Sequence, residues 1–197
     1  MARRIDVIDD NREMRDSLGA LLTAAGYATG VYASARSFLE DFDITTACII
    51  ADVYMPEMGG LELQAELTNR KVYPPIIIMT GLGDVPLAVR SLQAGAVDFI
   101  EKPFTSEAML TSVKRALSIG LSADHAPEMQ EARDILAGLT CRERDVLRLL
   151  VDGSSNKVAA HELGISPRTI ENHRAHIMEK MNARNLSDVV RVALAAR

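Results

Sequence analysis

Five side chains able to take part in chemistry stand directly after short apolar runs in the first part of the chain. They are three carboxylates, a hydroxyl and an ammonium group: Asp9, Asp10, Asp52, Thr80 and Lys102. Three neighbouring carboxylates repel one another and require a cation, and a small set of hard oxygen ligands suits Mg²⁺, which also binds phosphate oxygens. Phosphoryl transfer depends mainly on positioning and charge neutralisation. The set therefore fits that reaction, with Asp52 as the nucleophile that forms an acyl phosphate.

Each of these residues, taken alone, has an ordinary structural explanation. A pair of aspartates is a common N-cap of a helix, and a threonine often occupies a turn. An aspartate such as Asp52 is often a loop residue, and a lysine before a proline is often only solvated. The prediction of a site depends on all five residues reaching the same place in the fold.

The elements that would bring them together are visible as an alternation of two patterns. Short apolar runs occupy residues 5–8, 27–31, 47–51, 75–79 and 96–100. Stretches with helical periodicity occupy residues 11–24, 34–41, 60–70, 84–94 and 106–117. This alternation predicts a doubly wound α/β fold in which helices cover both faces of a five-stranded parallel sheet. Because the carboxyl ends of parallel strands meet at one edge, the five side chains are expected to converge there.

The charge of the chain is unevenly distributed. Residues 1–120 contain 11 Lys and Arg against 16 Asp and Glu, residues 121–138 contain 1 against 4, and residues 139–197 contain 10 against 7. The middle segment loses the alternation, so it is predicted to be a linker, in part helical, between two domains. A basic second domain indicates a polyanionic partner.

Residues 139–197 show helical periodicity throughout and predict an all-α domain of four helices, at 140–152, 155–163, 167–181 and 187–195. Gly164 separates the second helix from the third with the spacing of a helix-turn-helix. At about 100° per residue, one side of the third helix is apolar and the other carries small, polar and charged groups. This pattern fits a helix that enters a groove of DNA, although a surface helix of any small bundle shows it too.

Longer motifs in both parts resemble known families. Residues 1–120 resemble the receiver domain of two-component response regulators in the motifs VIDDN, ADVYMPEMGGLEL, IIIMTGLGD and GAVDFIEKPF. Residues 139–197 resemble the LuxR-type, or NarL/FixJ, DNA-binding domain in the stretch LTCRERDVLRLLVDGSSNKVAAHELGISPRTIENHRAHIMEKM. The combination is similar to FixJ-like response regulators.

The first resemblance implies a flavodoxin-like sheet with the strand order 2-1-3-4-5. It implies that Asp52 accepts a phosphoryl group from a cognate histidine kinase. It also implies that Mg²⁺ is bound by Asp9 and Asp52 directly, by Asp10 through a water molecule, and by the backbone carbonyl of Tyr54.

The same resemblance assigns roles around the phosphoryl group. Lys102 would pair with that group, and the Lys102–Pro103 peptide bond would be cis, an isomer that proline tolerates. Thr80 and Phe99 would move together on phosphorylation. The alternative is that Phe99 is an ordinary core residue with no part in the switch. The family often has tyrosine at this position, so the hydroxyl group is absent from this switch.

The second resemblance implies that the helix at 167–181 lies in the major groove of double-stranded DNA. Its base-facing positions are Glu171, Asn172 and Ala175; asparagine can pair with adenine, and glutamate can accept a hydrogen bond from cytosine N4. Glu171 departs from family members that carry a cation there. The residues expected to contact phosphates or set the register are Lys157, Arg168, Thr169, Arg174 and His176.

The last helix is expected to provide dimer contacts, unless its apolar residues pack within their own domain. The residues concerned are Val189, Val190, Ala193 and Leu194. Two cysteines in separate charge blocks are predicted to remain free thiols in a reducing compartment. With neither a signal peptide nor an apolar run of about 20 residues, the expected location is the cytoplasm.

The sequence therefore predicts a transcription regulator and not an enzyme. Phosphorylation of Asp52 is expected to promote a homodimer that binds DNA, with RNA polymerase as a further candidate partner and with no membrane partner. The alternative is a magnesium-dependent hydrolase with an aspartyl-phosphate intermediate, which would release many phosphates per chain. A receiver that only bridges proteins is a third interpretation.

Overall fold

Two compact units make up the structure, a computed structural model of the chain. It describes residues 3–81, 85–119, 135–183 and 186–195. One unit contains Met1–Leu82 and Ala94–Leu121. The other contains Gly83–Gln93 and Ser122–Arg197. The sequence assigns residues 84–94 to the first domain, so this grouping differs from the predicted division at 1–120, 121–138 and 139–197. The domain boundaries stay a prediction, and most of the predicted linker lies outside the described residues.

A parallel sheet forms the centre of the first unit. Its strands are β1 (Arg4–Ile8), β2 (Ala28–Tyr32), β3 (Thr46–Asp52), β4 (Ile76–Thr80) and β5 (Asp98–Glu101). They pair in the order β2-β1-β3-β4-β5, and every pairing is parallel. The predicted doubly wound class and strand order are therefore confirmed. Each strand begins and ends within two residues of its predicted apolar run.

Helices follow the strands as the periodicity predicts. The first unit contains α1 (Arg12–Ala24), α2 (Ala35–Glu40), α3 (Gly60–Asn69) and α5 (Ser106–Ile119). The second contains α4 (Val85–Gln93), α6 (Cys141–Val151), α7 (Asn156–Leu163), α8 (Pro167–Lys180) and α9 (Leu186–Ala195). Within the part of the chain that the structure describes, none of these helices has the length and apolar character needed to cross a membrane.

An aliphatic core holds the sheet against α1 and α5. It includes the fully buried residues Ile5, Val7, Leu22, Cys48, Ile50, Ile77, Met79, Met109 and Val113. Burial of each large apolar side chain stabilises the fold by about 1.5–3 kcal/mol. Cys48 and Cys141 are both free thiols, as predicted. Burial raises the pKa of the Cys48 thiol to about 12, so this thiol is a core residue without acid–base function at neutral pH.

Two carboxylates inside the first unit have dedicated partners. Asp6 in β1 accepts a hydrogen bond from Arg4 Nε at 2.9 Å and another from the hydroxyl of Thr46. Asp98 in β5 accepts from Arg115 Nη1 at 2.7 Å and from the hydroxyl of Ser112. Since a buried charge is tolerated when it is paired and hydrogen-bonded, these two groups are accounted for within the fold.

The second unit has its own charged anchor, at the start of α6. The Thr140 hydroxyl accepts from the Glu143 amide at 3.2 Å, and the Glu143 carboxylate accepts from the Thr140 amide at 2.7 Å, which forms a capping box. Glu143 is only 4% exposed and also accepts from Lys180 Nζ at 2.7 Å. This contact joins the start of α6 to the end of α8. The lysine and the backbone amide lower the pKa of Glu143 to about 2.

We expect Glu143→Gln to lower the free energy of unfolding of the second unit at pH 7 by about 1.5 kcal/mol. Glutamine keeps the capping geometry but loses the charge that faces Lys180. Because the carboxyl pKa is lower in the folded chain than its ordinary value of 4.5, the stabilisation is present above that value and is lost as the pH falls towards 2. Denaturant unfolding at pH 7 and pH 3 measures the difference.

The control is Glu179→Gln, which removes an exposed carboxylate one residue before Lys180. It should leave the free energy of unfolding nearly unchanged. If the difference between Glu143→Gln and wild type is as large at pH 3 as at pH 7, the ionised pair does not provide the stabilisation.

Candidate functional site

The carboxyl ends of β1 and β3 bring three acidic side chains together. Asp9 and Asp10 follow β1, and Asp52 is the last residue of β3. One carboxylate oxygen from each lies within 4.8 Å of those of the other two. Asp9 is fully buried, Asp52 is 9% exposed, and Asp10 is exposed to solvent. The structure thus places these acids together, as expected from neighbouring parallel strands.

Lys102, just after β5, reaches across the sheet edge to two of the acids. Its Nζ lies 2.8 Å from Asp9 Oδ2 and 3.0 Å from Asp52 Oδ2. The Lys102 amide donates to the carbonyl of Thr80 at 2.8 Å, which fixes this loop beside the end of β4. The Lys102–Pro103 bond is cis, as the resemblance implies. A single ammonium group therefore compensates two almost buried carboxylates.

The protonation of this cluster depends on burial and on the shared lysine. Burial raises the pKa of Asp52, the nearby lysine lowers it in part, and the negative charge of Asp9 raises it further. For Lys102, burial lowers the pKa, but its hydrogen bonds to Asp9 and Asp52 outweigh burial and leave the pKa above the ordinary value. The lysine is consequently charged at neutral pH.

The donor set at this edge fits a divalent cation. Three carboxylates face one ammonium group, which leaves an excess of negative charge. Asp9 Oδ1 accepts a hydrogen bond from the Asn11 amide at 2.8 Å, which orients the carboxylate. Hard oxygen donors with one lysine nearby are typical of sites where Mg²⁺ binds together with a phosphate. The described residues at this edge thus match the ligand chemistry of magnesium.

Three further predicted site residues lie on or just after β3, β4 and β5. Thr80, the last residue of β4, is fully buried, and its hydroxyl has no hydrogen-bond partner among the described residues. Phe99 is 3% exposed in the neighbouring strand β5. Tyr54, two residues after Asp52, is 63% exposed. Leu82, two residues after Thr80, is the other bulky residue expected to flank the phosphoryl group, and it lies outside the described residues. Thr80 and Phe99 are therefore both buried in this structure.

Two glycines at the start of α3 allow this helix to approach the site. They were not among the residues predicted from the sequence. A Cβ on Gly59 would lie 2.2 Å from the Val53 carbonyl oxygen, and one on Gly60 would lie 2.8 Å from the Asp52 carbonyl oxygen. Both are backbone contacts that cannot yield easily. The signal in the sequence is the adjacent pair seven and eight residues after Asp52, inside the motif ADVYMPEMGG.

Two residues at the start of α1 were also missed. Asn11 is the N-cap of α1, and its side chain accepts from the Met14 amide at 3.1 Å. Arg15 Nη1 donates to the Asp9 carbonyl at 2.6 Å. Together with the Asn11 amide, which binds Asp9 Oδ1, these contacts hold the loop between β1 and α1. An Asp-Asp-Asn sequence before a helical stretch is the signal for such a cap.

The second unit contains the predicted helix-turn-helix in α7 and α8. Gly164 ends α7 with a left-handed φ of 65°, Ser166 caps α8, and Pro167 occupies its first turn. Ile170 and Ile177 are fully buried on one side of α8. Most of the predicted DNA-contact residues are exposed: Arg168, Glu171, Asn172, Ala175 and His176 of α8, and Lys157 of α7.

Two of the predicted phosphate-contact residues have partners within the unit. Thr169 Oγ1 lies 2.8 Å from Ser166 Oγ at the helix cap. Arg174 Nη1 donates to Asn156 Oδ1 at 2.9 Å, which holds its guanidinium group against the start of α7. Both side chains are partly buried. The Arg174 contact connects the two helices of the motif, whereas the Thr169 contact lies within the cap of α8.

The predicted dimer residues on α9 are buried in this structure. Val189 is 1% exposed, Val190 is fully buried, and Ala193 is 7% exposed. The helix packs against α4, α6 and α8, all of which belong to the same compact unit. The Leu194 side chain lies outside the described ones. A role in dimer contact stays a prediction.

Comparison with known families covers both units. Residues 5–114 match the response regulator receiver domain, and residues 137–193 match bacterial regulatory proteins of the luxR family. The transcriptional regulatory protein FixJ of Azorhizobium caulinodans is 44% identical over 98% of this chain and 92% of its own length. FixJ of Rhizobium meliloti is 42% identical over 97% of this chain and 95% of its own length.

Solved structures agree with this result. Full-length FixJ from B. japonicum is 40% identical and superposes with a TM-score of 0.56 over 100% of this chain and 98% of that protein. The response regulator StyR is 36% identical, with a TM-score of 0.58 over 98% of this chain and 99% of its own. The likeness therefore extends over both units and is not limited to one domain.

We expect Lys102→Met to lower the free energy of unfolding of the first unit by about 2 kcal/mol at pH 7, because Asp9 and Asp52 lose their common hydrogen-bond donor. Without the lysine, the pKa of Asp52 should rise further above its unfolded value. Stability then falls as the pH rises through that folded pKa, so the defect should shrink at acidic pH. Denaturant unfolding at several pH values tests this.

Lys114→Met is the matched control, because Lys114 is exposed on α5. It removes the same charge and should leave stability almost unchanged. Magnesium chloride should restore part of the stability lost in Lys102→Met, since a cation replaces the missing charge. A defect that is the same at every pH and unaffected by magnesium would contradict this role of the lysine.

Proposed function

The chain belongs to the response regulators that join a receiver domain to a LuxR-type DNA-binding domain, and we propose that phosphorylation of Asp52 controls how its second domain binds DNA. It is a member of the two-component systems and regulates transcription through a helix-turn-helix. The proposal concerns the chemistry of the switch. Its main support is the position of Asp52, 9% exposed and 3.0 Å from the Lys102 ammonium group beside Asp9.

In the proposed reaction, a carboxylate oxygen of Asp52 attacks the phosphorus atom of a phosphohistidine on the cognate kinase. An oxygen–phosphorus bond forms as the phosphorus–nitrogen bond breaks, and the histidine leaves with its electron pair and takes up a proton. Asp9 and Asp52 directly, Asp10 through water, and the Tyr54 carbonyl would hold Mg²⁺. That ion supplies neutralisation of charge on the phosphoryl oxygens.

Lys102 and Thr80 are proposed to recognise the phosphoryl group once it is attached. The Lys102 ammonium group, now shared by two carboxylates, would pair with a phosphoryl oxygen. The buried Thr80 hydroxyl, which lacks a partner among the described residues, would donate to another. Movement of Thr80 towards Asp52 would alter the packing of Phe99 on the adjacent strand. The free energy of these new contacts shifts the population between two receiver conformations.

The receiver conformation is proposed to act on the DNA-binding domain through dimerisation. We place the receiver at residues 1–120, the linker at 121–138 and the DNA-binding domain at 139–197. Two linked DNA-binding domains gain affinity because the second binds at a raised effective concentration. Lys157, Arg168 and Arg174 would neutralise DNA phosphates, which makes this binding strongly salt-dependent, while Thr169 and His176 would add phosphate contacts or set the register. RNA polymerase is a further proposed partner of the bound dimer.

The alternative of a hydrolase differs in turnover. A hydrolase releases many phosphates per chain, whereas the proposed receiver accepts one and holds it. The relatives that match over almost the full chain are named as transcriptional regulators. That favours the regulator, and a count of phosphate released per chain distinguishes the two.

We expect acetyl phosphate and magnesium to phosphorylate the wild-type chain once, to increase its dimer fraction and to tighten its binding to genomic DNA fragments by about 10-fold or more, in line with linked binding. Asp52→Asn should show none of these responses because it lacks the nucleophilic carboxylate. Asp16→Asn, which removes an exposed carboxylate on α1, is the control. Phosphoprotein electrophoresis, light scattering and mobility shift provide the readouts. An unchanged response in Asp52→Asn would exclude Asp52 as the acceptor.

Tyr54 is expected to prolong the phosphorylated state. Its position two residues after Asp52 places a bulky group next to the proposed phosphoryl group, where it hinders an incoming water molecule. Tyr54→Gly should therefore shorten the lifetime of the phosphorylated chain, and Tyr54→Phe should keep it. The loss of label after removal of the phosphodonor measures both. Equal lifetimes in wild type and Tyr54→Gly would show that this side chain does not shield the site.

A further inference from the structure

An exposed carboxylate, Glu171, lies in the second turn of α8, close to its start at Pro167. Ile170 and Ile177 are fully buried, so Glu171 belongs to the side of the helix that is free for a ligand. In a helix-turn-helix, the second helix enters the major groove and its N-terminal residues contact the edges of the bases. Glu171 and its neighbour Asn172 therefore lie where base sequence is read.

Glu171 differs from most other acids of its unit, because it has no hydrogen-bond or ion-pair partner among the residues that the structure describes. Four acids have a cation within 4.0 Å, namely Glu143 with Lys180, Asp145 with Arg142, Glu162 with Arg148, and Asp188 with Arg191. Arg174, three residues after Glu171, instead donates to Asn156 Oδ1. The part of the chain that the structure describes thus leaves the carboxylate of Glu171 available.

An available carboxylate on a DNA-binding surface has an energetic cost, because it faces a dense array of phosphates. A hydrogen-bond donor on a base edge would offset this repulsion directly. In the major groove, cytosine N4 and adenine N6 are donors, whereas guanine O6 and N7 and thymine O4 are acceptors. Guanine and thymine would therefore repel the carboxylate and add to its selectivity.

Cytosine suits the carboxylate better than adenine does. The amino group of adenine stands beside the N7 acceptor in the groove, which would repel the second oxygen of the carboxylate. Cytosine presents its amino group without such an acceptor. We infer that Glu171 makes this chain select a cytosine at one position in each DNA half-site and reject a guanine there. This inference rests on the proposed binding of α8 to DNA.

The test is a selection of binding sites from a library of random duplexes with the full-length, phosphorylated chain. Wild type, Glu171→Lys and Glu179→Lys are compared. Lysine pairs with guanine O6 and N7, so Glu171→Lys should change one selected position from cytosine to guanine and leave the other positions unchanged. Glu179→Lys makes the same charge change two turns further along α8 and should still select cytosine.

Titrations with two duplexes that differ only at this position, one with cytosine and one with guanine, then measure the base preference. Wild type should bind the cytosine duplex about 10-fold or more tightly than the guanine duplex, the usual scale for one mismatched base pair. Glu171→Lys should reverse that order. An unrelated duplex measures the gain in affinity from charge alone, which both lysine variants should share. Thermal unfolding checks that the exposed substitutions leave the fold intact.

Two results would overturn the inference without affecting the proposed function. In the first, Glu171→Lys strengthens binding to the cytosine, guanine and unrelated duplexes by the same factor, which would make the residue a purely electrostatic element. In the second, the position that changes in the lysine variant is not a cytosine for wild type. Failure of wild type to enrich any duplex, at low or moderate salt, would instead overturn the proposed DNA binding and the inference with it.

Discussion

The ammonium group of Lys102, shared between Asp9 and Asp52, is the interaction on which the first unit's site depends. Two carboxylates that are almost excluded from water meet at the ends of neighbouring strands, and one lysine from a third strand compensates both. A buried charge without a partner is costly. The sheet edge can keep this cluster only while β1, β3 and β5 remain in register and the loop after β5 holds its position.

The other buried acids of the first unit differ from this cluster in how fully the fold satisfies their charge and hydrogen bonds. Asp6 and Asp98 each have their own arginine and their own hydroxyl donor. At the sheet edge, Asp9 and Asp52 share one lysine, Asp10 lies beside them, and the Thr80 hydroxyl has no partner among the described residues. Groups whose charge and hydrogen bonds are incompletely satisfied by the fold are the ones available to a cation and a phosphoryl group.

In the second unit, too, some polar side chains are paired within the fold and others are exposed. Glu143 is buried, capped and paired with Lys180, so its charge supports the packing of α6 and α8. Arg174 and Asn156 connect the two helices of the motif. On α8, the side chains of Arg168, Glu171 and Asn172 are exposed to solvent. Interactions within the unit thus hold α7 and α8 together, while the exposed polar groups are the ones proposed to read DNA.

The sequence by itself determined the fold class and which side chains would meet at the sheet edge. Apolar alternation specifies which residues enter a core, and residues after parallel strands must share an edge, so Asp9, Asp52 and Lys102 were predicted together. Only the tertiary structure decided that the lysine bridges both acids, that Gly59 and Gly60 approach the backbone at Asp52, and that Arg174 turns to Asn156. Periodicity is a local property, whereas these contacts join residues from separate elements and depend on how those elements pack.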